Sequence, residues 1–290
     1  MNASAPLLVP GLADLAPSYK GVLCDVWGVL HNGVDAFADA GAALQRFREE
    51  AGGTVVLITN APRPSAPIHA QLERLGVPRA AYDGLVTSGD VTRARLEANS
   101  GKAILHIGPE RDRPLFDGLD IRLASEKDAE LIVCTGLIED EAETPDDYRP
   151  MLERLVARKL PFLCANPDIV VERGNRLIWC AGALARLYED LGGELTIVGK
   201  PHTPIYEAAL SLLDEMAGSP VPRGKVLAIG DGLPTDIRGA VAQELDVLFI
   251  TGGIHSSDFG PVDAPEEALV RRRLAEEGLT ARAATPYLRW

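Results

Sequence analysis

Asp25, Thr59, Lys200 and Asp231 each stand directly after a short apolar run or one residue past it: Val22-Leu23-Cys24, Val55 to Ile58, Thr196 to Val198 with Gly199, and Val226 to Ile229 with Gly230. Asp236 follows Asp231 across a glycine-bearing turn, Gly230-Asp231-Gly232-Leu233-Pro234-Thr235-Asp236. Carboxylates brought together repel unless a cation sits between them, and hard carboxylate oxygens suit magnesium. The Thr59 hydroxyl and the Asn60 N–H are of the type that holds phosphate oxygens, and Lys200 is of the type that neutralises a substrate anion or orients a nucleophilic carboxylate. Together these are the parts of phosphoryl transfer: a nucleophile, a metal, positioning, and compensating positive charge.

Taken singly, each residue has an ordinary structural use. An aspartate after a strand caps a turn, a threonine hydroxyl caps a helix, and a lysine sits at the surface. Arg63 is an anion contact or a surface arginine, and His202 touches substrate or merely starts a helix. Cys24 ends a buried run, so its side chain should point opposite to that of Asp25, and thiol catalysis is not expected. The ordered agreement of four run ends carries more weight than any one of them.

The elements that must place these residues are legible from periodicity. Apolar runs alternate with helical stretches at Ala40 to Glu50, Ile68 to Leu75, Ala181 to Leu191 and Tyr206 to Met216, and a fifth run, Val247 to Ile250, ends at Thr251-Gly252-Gly253. That pattern predicts an α/β fold, a Rossmann-like parallel sheet covered on both faces, with ligands gathered beyond the carboxyl ends of its strands. The middle of the chain repeats the pattern on its own account. Ala103 to Ile107, Leu131 to Cys134 and Phe162 to Cys164 read as strands, and Val91 to Asn99 and Asp147 to Lys159 as helices. A smaller α/β domain is therefore expected at 88–177, inserted into a core formed by 1–87 and 178–290. Hinge-like signals stand at Thr87-Ser88-Gly89 and Arg173-Gly174-Asn175.

The chain has 290 residues, 46% hydrophobic and 24% charged, with a net charge of −13, which disfavours nucleic acid and anionic membrane surfaces as partners. The run Arg271-Arg272-Arg273 is followed by Glu276 and Glu277 and reads as a solvated helix face. No apolar run approaches the roughly 20 residues of a membrane span, and Met1 to Lys20 does not read as a secretory signal. Cys24, Cys134, Cys164 and Cys180 lack metal-ligand spacing and read as small core residues. A cytoplasmic location is the expectation.

Asp25-Val26-Trp27-Gly28-Val29-Leu30, Ile58-Thr59-Asn60, Val198-Gly199-Lys200-Pro201 and Gly230-Asp231-Gly232 through Thr235-Asp236 resemble the four motifs of the haloacid dehalogenase (HAD) superfamily of aspartate-nucleophile hydrolases. The insert after the second motif, with Ala165-Asn166-Pro167-Asp168 late in it, is similar to the class IIA branch of sugar-phosphate and nitrophenyl-phosphate phosphatases. The resemblance spans roughly 20–256. It implies that Asp25 attacks phosphorus to give an aspartyl phosphate, that Thr59 and Asn60 bind the phosphoryl group, and that Lys200 stabilises charge around the nucleophile. It further implies that Asp25, Asp231 and the backbone carbonyl of Trp27 hold magnesium, that Asp236 supports that metal shell, and that the insert is a cap selecting the leaving group. The substrate would be a small phosphorylated metabolite, and association into a homodimer through the cap is one expectation of the branch.

One position departs from the pattern. Where HAD phosphatases normally carry Asp-x-Asp, the second acid is replaced by Trp27, which offers no carboxyl proton to a leaving group. General acid–base help is worth about 10²–10⁴ in rate. Three expectations compete: substrates with good leaving groups, substitution by a neighbour such as His31, or a phosphometabolite-binding or regulatory protein with little or no turnover. A carbon-directed dehalogenase would have no use for Asp231 and Asp236 as a metal site. A dinucleotide oxidoreductase should show GxGxxG after its first strand, and this chain does not.

Overall fold

The computed structural model describes residues 6–174 and 176–290. The chain divides into two compact units, one built from the residues through Thr59 with His69–Val86 and Tyr206–Trp290, the other from Asn60–Ile68 and Thr87–Ile205.

The first unit is a seven-stranded sheet in the order Leu7–Leu8, Ala283–Thr285, Asp246–Ile250, Val226–Gly230, Gly21–Asp25, Thr54–Thr59, Gly84–Thr87. Pairing is parallel from Leu7–Leu8 through Thr54–Thr59. The central strands are continuous apolar runs because both faces are covered: every residue of Gly21–Asp25 and of Val226–Gly230 is buried. Register brings the functional ends level. Cys24 stands beside Ile229 and Asp25 beside Ile58, so Asp231 and Thr59 lie just past the level of Asp25 on its two neighbouring strands.

The second unit holds a five-stranded parallel sheet, Leu195–Ile197, Phe162–Cys164, Leu131–Cys134, Ala103–Ile107, Arg122–Leu123. Its strand residues alternate between two cores. Ile132, Cys134, Phe162 and Cys164 pack with Leu152, Leu155, Leu184 and Tyr188 from the helices Arg149–Ala157 and Ala181–Asp190. Ile104, Val133 and Leu163 face the other way, onto Leu96 and Phe116.

The division of the chain differs from the sequence boundary of 88–177. The run ending before Lys200 does not join the first sheet: Leu195 pairs with Phe162 and Ile197 with Cys164, so this strand and the helix Ala181–Asp190 belong to the second unit, which extends to Ile205. Thr87 does mark a crossing, as the cap of the helix Ser88–Glu97: its hydroxyl accepts from the Asp90 N–H at 2.9 Å, and its own N–H donates to the Asp90 carboxylate at 3.1 Å. The exit signal at Arg173-Gly174-Asn175 is no hinge between units. Arg173 ends one strand of an antiparallel hairpin, Val170–Arg173 with Arg176–Trp179, inside the second unit; Gly174 has φ +61°, and Asn175 lies outside the described residues.

All four cysteines are buried, and no disulfide occurs among the described residues. No helix among them is long and apolar enough to cross a membrane.

His106 in Ala103–Ile107 is partly buried, its Nε2 2.9 Å from the Thr135 hydroxyl and its ring edge-on to Phe116. Burial, with a smaller contribution from the positive charge of Arg113, pushes its pKa down to about 4. The unfolded chain therefore takes up a proton here, between pH about 6.5 and about 4, that the folded chain does not. The resulting stability is complete above the upper value and is lost as pH falls through that window, by about 3 kcal/mol at most. Thermal unfolding of His106→Gln and wild type at pH 7 and pH 4.5 should show a smaller acid-induced loss of Tm in the variant.

Candidate active site

At the carboxyl end of the first sheet, Asp25, Asp231 and Asp236 converge, each offering a ligand oxygen within 4.8 Å of the others. All three are buried, at 5%, 5% and 7% exposure. Each is held by local backbone. The Asp25 Oδ1 accepts the Val26 N–H at 2.7 Å, because the chain turns at once after the strand. The Asp231 Oδ2 accepts the Ile254 N–H at 2.9 Å. Asp236 sits in a wide helical turn over Leu233–Ile237, where the Ile237 N–H reaches the Gly232 carbonyl at 3.1 Å, a five-residue span. That turn aims Asp236 back at the strand end, where its Oδ2 accepts the Gly232 N–H at 3.0 Å, while Tyr206 donates its hydroxyl to the Asp236 carbonyl at 3.1 Å.

Glycines make room for this cluster. A Cβ on Gly28 or Gly253 would overlap the Asp231 carboxylate, and one on Gly230 would overlap Asp236. Gly28 also has φ +83°, a conformation that side chains resist. Three buried carboxylates with all-oxygen donors fit a hard divalent cation, which would relieve their mutual repulsion.

Thr59 closes its strand at 5% exposure, beside the strand of Asp25. Trp27 lies two residues past Asp25, and its indole is taken up by its own loop. The ring meets the His31 imidazole edge-on, with centroids 5.0 Å apart, and its six-membered edge lies where a Cβ on Gly33 would stand. His31 is 2% exposed, and its Nδ1 accepts the Gly33 N–H at 2.9 Å. Burial pushes its pKa down to about 4. At neutral pH it is an uncharged ring with Nδ1 acting as acceptor.

The other sequence candidates belong to the second unit. Lys200 does not follow a strand of the first sheet, as the alternation of runs had implied, but the edge strand Leu195–Ile197 of the second, and it is 3% exposed. Asn60 is equally buried, and its side chain is engaged with the Lys200 main chain and with Asp168. Arg63 forms an ion pair at 3.7 Å with the buried Asp112.

Sequence reading assigned no role to Gly28, Gly253, Ile254 or Tyr206, which support the carboxylates through space and main-chain groups. Gly252-Gly253, one residue after the fifth apolar run, and Gly28 within the first motif left a visible signal.

A family model described as haloacid dehalogenase-like hydrolase matches residues 22–122, and another described as HAD-hydrolase-like matches 197–276. A solved hydrolase of the haloacid dehalogenase-like family from Brucella suis 1330 is 51% identical, with a TM-score of 0.87, covering 97% of this chain and 100% of that one. The 5'-nucleotidase YutF of Bacillus subtilis (strain 168) is 23% identical over 240 residues, which is 82% of this chain and 89% of the relative. A glycerol phosphate phosphatase from Mycobacterium tuberculosis, solved in complex with magnesium, is alike in fold, with a TM-score of 0.65 at 23% identity over 88% of this chain and 74% of that one. The chain belongs to the haloacid dehalogenase-like hydrolase family.

Gly253 has an ordinary backbone conformation, so its replacement acts through the lost space alone. Gly253→Ala should displace the Asp231 carboxylate and weaken divalent-cation binding by about 10–100-fold, read by calorimetric titration.

Proposed function

We propose that this chain is a magnesium-dependent phosphatase that cleaves a small phosphate monoester through an aspartyl phosphate on Asp25. The observation that carries the reading is the convergence of three buried carboxylates, Asp25 and Asp231 at adjoining strand ends and Asp236 in the turn that follows. The names of the relatives, a 5'-nucleotidase and a glycerol phosphate phosphatase, support a phosphoric monoester as substrate.

In this reading one Asp25 oxygen forms a bond to phosphorus as the ester P–O bond breaks and the leaving oxygen departs with its electron pair. Water then attacks the same phosphorus, restoring the Asp25 carboxylate and releasing inorganic phosphate. Asp25, Asp231 and the Trp27 carbonyl are assigned to the cation, with Asp236 held behind them by Gly232 and Tyr206. When bound, magnesium would supply positive charge that stabilises phosphoryl oxygens and keeps the carboxylates together. The Thr59 hydroxyl and the Asn60 N–H are assigned to the phosphoryl oxygens, Lys200 to compensating charge, and Arg63 to an anion contact secondary to its pairing with Asp112. The second unit is assigned as the class IIA cap that selects the leaving group, and the buried thiols accord with a reducing, cytoplasmic setting.

With Trp27 in place of the second acid and His31 neutral, the leaving group departs without a protein proton. This favours aryl and acyl phosphates over alkyl ones. A panel of phosphate esters, including nitrophenyl and acyl phosphates, should show magnesium-dependent phosphate release that Asp25→Asn abolishes. Absence of such release on every member would leave a binding or regulatory protein and overturn the hydrolase reading. Trp27→Asp should raise kcat/KM for alkyl phosphates by tenfold or more relative to aryl phosphates, with some loss of Tm from the emptied loop. An equal change on both classes would mean that the missing proton does not limit the reaction.

A further inference from the structure

We propose that the Asn60 side chain is a positioning device for Lys200, locked in orientation by Asp168, and not a ligand of the substrate; the inference rests on the phosphatase reading above. The Asn60 carboxamide takes both main-chain polar groups of one residue. Its Oδ1 accepts the Lys200 N–H at 2.7 Å, and its Nδ2 donates to the Lys200 carbonyl at 3.3 Å. The second Nδ2 hydrogen goes to the Asp168 Oδ1 at 2.9 Å. With two hydrogens and one oxygen accounted for, the amide donates nothing further.

The orientation of the amide is over-determined. An ionised carboxylate only accepts and a backbone N–H only donates, so Asp168 and Lys200 together permit one of the two amide flips. Asp168 is fixed in turn, its N–H donating to the Asn166 Oδ1 at 3.1 Å within Ala165-Asn166-Pro167-Asp168. Gly199 lets the chain come this close. It has φ +100°, and a Cβ there would stand 2.7 Å from the Asn60 Oδ1 and 2.8 Å from the Pro167 ring. Asn60 and Lys200 are each 3% exposed and Asn166 8%, so water does not readily replace these bonds.

The clamp joins three sequence signals that otherwise stand apart: the asparagine after Thr59, the Asn-Pro-Asp run, and the glycine before the lysine. A lysine on a flexible four-carbon stem is a poorly placed charge unless its main chain is held. Fixing both the N–H and the C=O of Lys200 sets where the stem begins, and so where the Nζ can reach in the charge role assigned to it.

The test is a double-mutant cycle of Asn60→Ala and Lys200→Ala, read as kcat/KM for nitrophenyl phosphate and as inorganic phosphate affinity by calorimetry, with Tm recorded for each protein. The inference predicts that Asn60→Ala alone costs tenfold or more in kcat/KM, and under about twofold further once Lys200 is already alanine. Losses that multiply across the cycle, or an Asn60→Ala enzyme with wild-type activity, would overturn it. Should Asn60→Ala lose its fold, Asp168→Ala takes its place in the cycle, with Asp168→Asn expected to recover most of the activity because it keeps an acceptor for Nδ2. Absence of phosphate release by the wild-type protein would fail the function reading itself. Release lowered but still measurable in Lys200→Ala, with multiplicative losses across the cycle, would keep that reading and fail only the clamp.

Discussion

Mutual repulsion among Asp25, Asp231 and Asp236 is the constraint around which the first unit is organised. Two unit charges about 5 Å apart repel by about 3 kcal/mol at an effective dielectric of 20, a sizeable share of the total stability of a typical domain, about 5–15 kcal/mol. A fold that buries three carboxylates together needs compensation, part of which comes from N–H donors to each of them, and the proposed cation would supply more. The donors come from Val26, Ile254 and Gly232, one from each loop that leaves a strand end. The loops in turn depend on space: Gly28, Gly230 and Gly253 have no Cβ because a carboxylate lies where it would be. Sheet register, turn geometry and glycine placement thus answer to one electrostatic demand.

The loop after Asp25 carries an aromatic ring at Trp27, where the proposed mechanism would otherwise look for an acid. Trp27 is packed against His31 and over Gly33, within its own turn. The imidazole beside it is neutral and already accepts a backbone N–H. The chemistry assigned to this chain accordingly rests on the nucleophile, positive charge and a leaving group stable without protonation.

Much of this arrangement was legible in the sequence. Val22 to Asp25, Val55 to Thr59 and Val226 to Gly230 read as strands because continuous apolar runs bounded by polar turns have little other use, and the acids after them stood out by type. The assignment of Thr196 to Val198 to the first sheet failed for a physical reason: an apolar run announces a buried strand but not its partner, and this one pairs with Phe162–Cys164. Leu7–Leu8 and Ala283–Thr285 are too short or too small in side chain to show a period, and the hairpin Val170–Trp179 mixes charged and apolar residues on both strands. Tyr206 and Ile254 act through a hydroxyl and a backbone N–H brought in from distant segments, which no local pattern marks.

The most direct measurement is thermal unfolding with and without magnesium, for the wild-type protein and for Asp231→Asn. The account predicts that the cation raises the wild-type Tm, by an amount equivalent to about 2.7 kcal/mol at a hundred times the dissociation constant. It also predicts that Asp231→Asn is at least as stable as wild type without the cation, because one repelling charge is gone, and that it loses most of the cation-induced rise. A wild-type Tm indifferent to magnesium, together with an Asp231→Asn protein that is less stable in its absence, would contradict the claim that a cation balances these three carboxylates.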